Sequence, residues 1–518
     1  MDHTLAIDFG TSNSSVYIYT KRFEILSDTN GNYLFASCVE YVGGSTIVGS
    51  IAKKNLGRPG KFVVTNVKRL IGLTYDAYEA MEQKDIFGCD VVRGDDGFPW
   101  FVVSRKGDLV NCIDVASEIF KEIKNRADLF CTPLVYDQAY LTVPADFSPQ
   151  QCNAIKQAAA RAGLTVKKLI AEPTAAALSY VLDPSCSIAP NSKMIVYDFG
   201  GGTFDASLLM LGRNAGIQIL GEEGDSHLGG NDIDLCILEY VKSVFRSNYH
   251  RELIPPSAKS SRKNNLLKDL CELAKMTLQV QVSTDIDLSD LCDDVDYITL
   301  TRSSLDRLVE PLIERTMNCV MKALEDNQLL PGYVSYVFLV GGSSKLTSIR
   351  TSLQSLFDGA CQFPQIDPDH CVALGAMRLL QADCSNQTAP HKVLSSSYGL
   401  GLGNGNVLIM LKKGCNLPLS SRYYSFSTTE EKQKSVHMKI FQYSGRISLK
   451  ERFSMISEKL CHHVYDLEFP LSPQFSSNSS LIDIEFLFDL GGVLTVRCFN
   501  QEHKLLYSSE FEPIYGSY

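Results

Sequence analysis

Two aspartates, Asp198 and Asp205, frame a glycine-rich turn near the middle of this sequence. The turn residues that could contact a ligand are Gly200, Gly201, Gly202 and Thr203. Apolar runs at 194–197 and 206–210 flank the turn, so the pattern predicts a β-hairpin. Backbone N–H groups in such a turn suit phosphate oxygens, and the two carboxylates suit a hydrated Mg²⁺. An ordinary tight hairpin with two exposed aspartates would have the same pattern.

The N-terminus repeats this order of residue types. An apolar run at 5–7 leads to Asp8, and a second run follows at 15–19. The turn between the two runs contains Gly10, Thr11 and Ser12. Two such aspartates between matching strands are not expected by chance. The repeat therefore predicts a duplicated architecture in which two phosphate-binding hairpins face one nucleotide.

Composition narrows the range of functions. A chain of 518 residues has room for about two to four domains. The formal net charge of −10 argues against general binding of nucleic acid or of an anionic membrane, because both need a basic surface. The sequence has no membrane-length apolar run and no Cys-x-x-Cys pair, which disfavours a transmembrane segment, a zinc knuckle and thioredoxin chemistry. The N-terminus also lacks a signal-peptide pattern, so we expect a cytoplasmic protein.

Three charged residues between the hairpins have types and positions suited to phosphoryl transfer. Lys68 and Arg69 follow a strand-like run, where one of them could reach a γ-phosphate; a solvated pair at a strand end is the alternative. Glu172 stands at a predicted strand-to-helix junction, where active-site carboxylates of α/β folds often lie. A glutamate that merely caps the helix would have the same position.

A glycine-rich loop and a later turn add candidate ligand contacts. The loop at 224–232 contains Gly229 and Gly230. A strand at 337–340 breaks at Gly341 into a predicted helix. Because amides at such a turn can bind an anion or contact a nucleoside, we expect this turn to lie near the ligand.

The segment at 262–279 has the apolar spacing of a helix. We expect Glu272 and Lys275 on or near one face of this helix. The apolar stripe on the other face is predicted to contain Leu266, Leu270, Leu273, Ala274 and Thr277.

The composition and the residue patterns of the chain change after the last helical pattern. Residues 383–397 are polar and rich in serine, which is typical of a linker. Beyond them, alternation of apolar and polar residues at 436–440 and 482–488 predicts strands, and no long helical pattern follows. We therefore expect an α/β part at 1–382, followed by the linker and a small β-rich domain at 398–518.

Six motifs resemble those of the actin/hexokinase-type ATPases, particularly the seventy-kilodalton heat-shock chaperones. They lie at 7–12, 67–72, 171–177, 196–205, 224–230 and 339–344. The resemblance is close over about residues 4–382 and weaker beyond. It implies an α/β fold with a duplicated actin-like ATPase domain, in which two lobes surround a nucleotide cleft. A small all-β, substrate-binding-like domain without a helical lid would follow.

The resemblance also implies roles for individual residues. Asp8 and Asp198 would hold Mg²⁺ through water, and the turns of both hairpins would cradle the phosphates of ATP; K⁺ is a further candidate cation. Lys68 would reach the γ-phosphate and the attacking water. Asp198 would also belong to the catalytic set, whose remaining members would orient the water: Glu172, Thr203 and Asp205. The rest of the nucleotide site would include Gly229, Gly230, Glu272, Lys275, Gly341, Gly342, Ser343, Lys345 and Asp369.

The sequence departs from the family pattern in several places. Met276 stands where these chaperones usually have an arginine that stacks on adenine, and Asn13 replaces a usual tyrosine beside the first turn. The family's acidic, leucine-rich linker is absent. The short β domain, the expected lack of a lid and the divergent linker together resemble the chaperone homologues encoded by closteroviruses. That resemblance implies virion assembly and cell-to-cell movement, with capsid and other virion proteins as partners and the virion end and plasmodesmata as locations.

Two functions are therefore open. One is an ATP-hydrolysing chaperone, either viral or a divergent cytosolic cellular protein that binds extended peptides; the other is a mainly structural assembly protein with weak ATPase activity. Neither requires direct binding of nucleic acid. A sugar or glycerol kinase shares the fold but is disfavoured by the chaperone-like segments at 171–177 and 224–230. A protein kinase and a Walker-A motor are excluded because their catalytic-loop and G-x-x-x-x-G-K-[ST] motifs do not occur.

Overall fold

The structure is a computed structural model, which describes residues 3–20, 22–81, 84–186, 188–212, 216–254, 262–292, 295–357, 361–384, 394, 396–413, 415, 419–421, 423–427, 435–443, 445, 447, 454–470, 481–488 and 493–511. Its strands are β1 Thr4–Asp8, β2 Asn13–Tyr19, β3 Phe23–Ile25, β4 Phe35–Ala36, β5 Val39–Val42, β6 Ser45–Val48, β7 Phe62–Val64, β8 Val91–Arg93, β9 Pro99–Val102, β10 Leu109–Asn111, β11 Gln138–Val143, β12 Thr165–Ala171, β13 Lys193–Phe199, β14 Phe204–Leu211, β15 Ile217–Asp225, β16 Ser283–Asp287, β17 Tyr297–Thr301, β18 Val334–Val340, β19 Ser397–Gly401, β20 Asn406–Leu411, β21 Leu419–Ser420, β22 Tyr424–Ser427, β23 Ser435–Tyr443, β24 Met455–Ser457, β25 His462–Pro470, β26 Leu481–Phe488, β27 Leu494–Phe499 and β28 Leu505–Phe511.

Its α-helices are α1 Ser50–Lys53, α2 Tyr75–Glu79, α3 Cys112–Phe130, α4 Pro149–Arg161, α5 Glu172–Val181, α6 Gly230–Tyr249, α7 Arg262–Thr277, α8 Arg302–Asp326, α9 Thr347–Leu356 and α10 Cys371–Cys384. Short 3₁₀ turns lie at Val67–Arg69, Asp85–Phe87, Pro331–Tyr333, Gly342–Lys345 and Glu458–Leu460. No helix in the described part of the chain is long and apolar enough to cross a membrane.

The α/β part has two lobes, each built around one sheet, and the two sheets have the same strand pattern. In the first sheet the order is β12-β11-β1-β2-β3, and in the second it is β18-β13-β14-β15. Each sheet contains an antiparallel hairpin, β1–β2 or β13–β14, whose first strand also pairs in parallel with a later strand, β11 or β18. The predicted duplication and both predicted hairpins are therefore confirmed.

The helices that position the site begin and end where their sequences favour it. At the start of α4, Ser148 and Gln151 form a capping box. Pro149 occupies the first turn of the helix, where its missing N–H would have no partner within the helix. The buried strand β12 passes directly into α5 at Glu172, so the predicted strand-to-helix junction is confirmed. The helix α10 packs against both α5 and β1, and so fixes the position of α5 relative to β1.

The predicted apolar stripe of α7 is wrong by about one position. Leu273 is 59% exposed, whereas Lys275, expected on or near the other face, is buried. The buried side of the helix carries Leu267, Cys271, Ala274 and Leu278. This rotation follows from the packing of α7 against α6 and β16, which apolar spacing alone does not reveal.

The C-terminal strands form two sheets, ordered β24-β20-β19-β23-β25 and β21-β26-β27-β28, with β22 also on β26. The predicted strands at 436–440 and 482–488 correspond to β23 and β26, and β26 pairs antiparallel with β27. Apolar residues of these sheets, such as Leu400 and Phe486, belong to the same buried cluster as the first lobe.

The segment predicted as a linker lies mostly outside the described residues. Its first two residues continue α10, where Asp383 accepts hydrogen bonds from the Tyr140 hydroxyl and the Lys168 ammonium. Its last residue, Ser397, begins β19. The end of α10 is therefore attached to β11 and β12 of the first lobe.

Candidate active site

The turns of the two hairpins meet in the cleft between the lobes. A Cβ atom placed on Gly201 would lie 2.4 Å from the Ser12 hydroxyl oxygen, so only glycine allows this approach. Within the second turn, the Gly200 N–H donates to the Thr203 carbonyl at 3.0 Å. The structure thus brings together the two sets of residues predicted to hold phosphates.

The glycine-rich loop at 224–232 and Ser343 form hydrogen bonds to the second turn. The N–H of Gly230 donates to the Gly200 carbonyl at 2.9 Å, and that of Asn231 donates to the Gly201 carbonyl at 2.8 Å. The Ser343 hydroxyl donates to the Gly200 carbonyl at 3.1 Å. Because these bonds use carbonyl oxygens, they fix the turn without engaging the N–H groups of Gly201 and Gly202.

Each hairpin contributes an aspartate at the end of its first strand. In the first, the Thr142 hydroxyl donates to Asp8 at 2.9 Å. Burial raises the pKa of Asp8, against the opposing effect of Lys68. In the second, burial together with Glu172 and Asp205 raises the pKa of Asp198 well above its usual value. In both aspartates, burial therefore disfavours the charged form of the carboxyl group.

Lys68 is the cation between these carboxylates. It lies in the Val67–Arg69 turn, is 6% exposed, and forms an ion pair with Glu172. Burial works against its charge, but the carboxylates of Glu172 and Asp8 raise the pKa of Lys68. Of the two readings of the Lys68–Arg69 pair, the solvated pair is therefore wrong, and the ammonium is fixed inside the cleft.

Two further carboxyl groups have pKa values near neutrality. Burial and Asp8 raise the pKa of Glu172 to about 7, although Lys68 opposes the rise. Exclusion of bulk water between the lobes, together with Asp146, raises the pKa of Asp205 to about 6, even though the Asp205 side chain keeps an open side to solvent. Glu172 is therefore more than a helix cap, since it faces the cleft charges.

Arg69 is a contact that the sequence pattern did not assign. Its guanidinium, which belongs to the first lobe, donates to the carbonyls of Gly202 and Ser226 in the second lobe, each at 2.6 Å. Two strong hydrogen bonds from one side chain fix the second turn relative to the first lobe. In the sequence, only the position of Arg69 next to Lys68 pointed to this contact, and that position does not tell which of the two cations faces the phosphates.

Several residues predicted to complete the nucleotide site converge at the other end of the cleft. Glu272 on α7 forms an ion pair with Lys53 on α1 at 2.9 Å, which joins the lobes. A Cβ placed on Gly342 would lie 3.0 Å from an Asp369 carboxylate oxygen. Lys345 also pairs with Asp369. Gly341, Gly342 and Ser343 therefore lie between the phosphate end and the loop that precedes α10.

The carboxylates fit a hydrated divalent cation. Asp8, Glu172, Asp198 and Asp205 surround a single lysine, and the raised pKa values of Asp198 and Glu172 arise in part from repulsion between these groups. Within the described ranges, no three metal-ligating side chains stand close enough to hold a metal ion directly. An ion that keeps several of its waters, as Mg²⁺ does, suits this spacing.

A model of a known protein family matches nearly the whole chain. A model described as Hsp70 protein matches residues 4–504. The matched part contains both hairpins and the other residues predicted for the nucleotide site. It also contains most of the C-terminal strands, which end at Phe511 in the structure.

Proposed function

The chain belongs to the Hsp70 family, and we propose that its cleft binds ATP and hydrolyses it to ADP and phosphate with Mg²⁺. Members of this family are ATPases with an actin-like fold, and its chaperones bind peptide substrates. The observation that carries the proposal is the buried ion pair of Lys68 with Glu172, placed between two glycine turns that meet at Ser12 and Gly201.

Phosphoryl transfer depends mainly on positioning and on neutralisation of charge. Lys68 would contact the γ-phosphate, because its ammonium is held between the hairpins and keeps its charge. This contact would lower the repulsion between the phosphate and an attacking water. Glu172 would accept a hydrogen bond from that water, and Asp205 and Thr203 would orient it from the second hairpin.

Asp8 and Asp198 would hold Mg²⁺ through water, and the bound ion would neutralise part of the phosphate charge. K⁺ is a further candidate cation. Nucleoside contacts would come from Glu272, Lys275, Gly342, Ser343, Lys345 and Asp369. Gly229, Gly230 and Gly341 would complete the nucleotide site beside the second turn. We assign these roles to residues 1–382 as an ATPase domain.

The C-terminal part would bind protein partners. We propose that residues 398–518 form a small β domain without a helical lid, joined by a linker at 383–397. The two sheets of β19–β28 support this division. Extended peptides are the partners that Hsp70 chaperones bind, and they are the first class to test here.

A role in virion assembly and cell-to-cell movement is the second candidate function. It is favoured by the short β domain, the expected absence of a lid and the divergent linker, which together resemble closterovirus homologues. Partners would then be capsid and other virion proteins, at virion ends and plasmodesmata. A structural assembly part would need little or no turnover of ATP.

Steady-state hydrolysis of ATP by the full chain with Mg²⁺ tests the proposal. Removal of a buried, phosphate-facing charge typically costs about 10²–10³ in kcat, so we expect that loss for Lys68→Ala and Asp198→Asn. Lys121→Ala, which removes a half-buried lysine of α3 outside the cleft, serves as the control. Stimulation by an extended peptide would favour a chaperone, and turnover without stimulation would favour assembly. Binding of ATP without turnover would contradict the enzyme proposal.

A further inference from the structure

A cavity lies on the C-terminal sheet that contains β19, β23 and β25. Its volume is about 500 Å³, within the range of about 300–1,000 Å³ that is typical of ligand pockets. The walls are the end of β19 with the loop after it, the strands β23 and β25, and the 3₁₀ turn at Glu458–Leu460. On the two strands the exposed lining residues alternate with buried ones, so His437, Lys439, Asp466 and Glu468 share one face of the sheet.

An aromatic ring belongs to the lining of this cavity. Phe441 is 3% exposed, and a Cβ atom placed on Gly401 would lie 2.6 Å from its ring. Glycine at position 401 therefore leaves the room that the ring occupies. Lysine and arginine side chains pack their aliphatic stems on apolar surfaces of this kind, while their charged ends remain at a polar rim.

Carboxylates outnumber ammonium groups around the ring. Asp466 and Glu468 come from β25, and Glu458 comes from the 3₁₀ turn on another wall. Lys439 is the one lysine or arginine that the described lining contains, and it forms no ion pair with any described residue. The cavity therefore has an excess of negative charge.

The described partners of two of these carboxylates are histidines. His437 lies 3.2 Å from Glu468, and His463 lies 3.2 Å from Asp466. An imidazole that is not protonated adds no positive charge, so in slightly alkaline solution these contacts leave the carboxylates uncompensated.

The glycine-rich loop after β19 is not arranged to bind an anion. The N–H of Leu402 donates to the Asn406 carbonyl at 2.7 Å, and that of Gly405 donates to the Leu402 carbonyl at 3.2 Å. The N–H of Asn406 donates to the Asn404 side chain at 3.2 Å. Because these amides are used within the loop, the cavity wall does not offer them to a phosphate or a carboxylate.

The spacing of the carboxylates on β25 matches that of an extended peptide. Residues two apart in a strand lie about 6.4–6.8 Å apart and point to the same face. Asp466 and Glu468 have this relation, and alternate side chains of an extended ligand repeat at the same distance. A bare metal ion fits less well, because no three metal-ligating side chains in the described ranges stand close enough to hold one.

We propose that this cavity binds lysine or arginine side chains at alternate positions of an extended partner peptide. The ring of Phe441 would contact the stem of such a side chain, and the carboxylates of Glu458, Asp466 and Glu468 would contact the cationic ends. This proposal rests on the proposed binding of peptides by residues 398–518 and names the class of peptide.

Fluorescence anisotropy with the full chain in slightly alkaline buffer tests the proposal. The probes are a labelled peptide of alternating valine and arginine and a second peptide with glutamine in place of each arginine. Exposed ion pairs contribute about 1.5- to 5-fold each, so two or three of them should make the arginine peptide bind about tenfold more tightly. Dissociation constants that agree within about twofold would overturn the proposal.

Variants of the lining locate the binding site. Glu458→Gln and Glu468→Gln should each weaken binding of the arginine peptide about 1.5- to 5-fold and leave the glutamine peptide unchanged. Lys439→Gln removes the competing ammonium and should tighten binding of the arginine peptide by a similar factor, a gain that a misfolded variant would not show. Glu510→Gln, at an exposed residue of β28 in the other sheet, removes the same charge and should have no effect.

Failure of this proposal and failure of peptide binding give different results. Equal binding of both peptides would leave peptide binding standing and overturn the preference for cations. Equal weakening in Glu458→Gln, Glu468→Gln and Glu510→Gln would show that net charge, and not the cavity, attracts the arginine peptide, which overturns the proposal. If neither peptide binds, both proposals are wrong.

Discussion

The two phosphate hairpins share a backbone pattern and differ in charge. In the first, Ser15 stands opposite Asp8, and the Thr142 hydroxyl of β11 bonds to that aspartate. In the second, the residue opposite Asp198 is Asp205, so two carboxylates occupy paired positions. The duplicated architecture therefore preserves the turns that can hold phosphates, but only the second copy carries a pair of acidic groups.

This difference indicates that the two lobes make unequal contributions to chemistry. The first lobe supplies the cation, Lys68, and its partner Glu172, whereas the paired acids come from the second lobe. Arg69 reaches from the first lobe to the carbonyls of the second turn. In the proposed mechanism both turns would therefore share the phosphates, while the charges that act on the attacking water would be complete only when the lobes are together.

Ser15→Asp gives the first hairpin the acid pair of the second and should have the largest effect. Ser15 is 1% exposed, and its hydroxyl has no hydrogen-bond partner among the described residues. A carboxylate there would be buried beside Asp8 without a counter-ion, which costs about 3–5 kcal/mol. We expect the free energy of unfolding, measured by urea denaturation, to fall by about that amount.

Ser15→Ala is the matched control for this variant. It removes only a hydroxyl that lacks a partner, so the free energy of unfolding should stay within about 1 kcal/mol of the wild type. A loss of less than about 1 kcal/mol in Ser15→Asp would mean that the first hairpin tolerates the acid pair. The charge difference between the hairpins would then have no structural cost.

Arg69→Lys tests whether the hairpins act as a unit and should have the second largest effect. Lysine keeps the charge, but its shorter side chain cannot place an ammonium where the single guanidinium nitrogen Nη2 donates to both the Gly202 and the Ser226 carbonyls. Hydrogen bonds from charged groups contribute about 1.5–3 kcal/mol, so kcat/KM for ATP should fall about 10- to 100-fold. Arg58→Lys, at an exposed arginine of the same lobe, should leave it unchanged. An equal kcat/KM in both variants would contradict the role of Arg69.

Local sequence patterns predicted the parts of this structure that depend on local physics. Both hairpins follow from strand-turn-strand spacing. The junction at Glu172 follows from a buried strand that ends before a helical pattern. In each case the residues that decide the conformation are neighbours in the sequence.

Contacts between distant segments could not be predicted in the same way. The pairing of Lys53 with Glu272 joins residues on opposite lobes, and no local pattern connects them. The rotation of α7 depends on its contacts with α6 and β16, which bury Lys275 and expose Leu273. Arg69 was missed for the same reason, because its acceptors lie in another lobe.

A single nucleotide held by both turns requires the turns to remain in contact. Gly201→Ala would place a Cβ 2.4 Å from the Ser12 hydroxyl, whereas the Cβ of Gly200→Ala would lie 3.5 Å from its nearest atom. Titration calorimetry of ATP with Mg²⁺ on the wild type and both variants measures the consequence directly. We predict one ATP per chain in all three proteins, and binding about fivefold weaker, or about 1 kcal/mol, in Gly201→Ala alone. Two ATP sites per chain, or equal weakening in both variants, would contradict a cleft shared by the two hairpins.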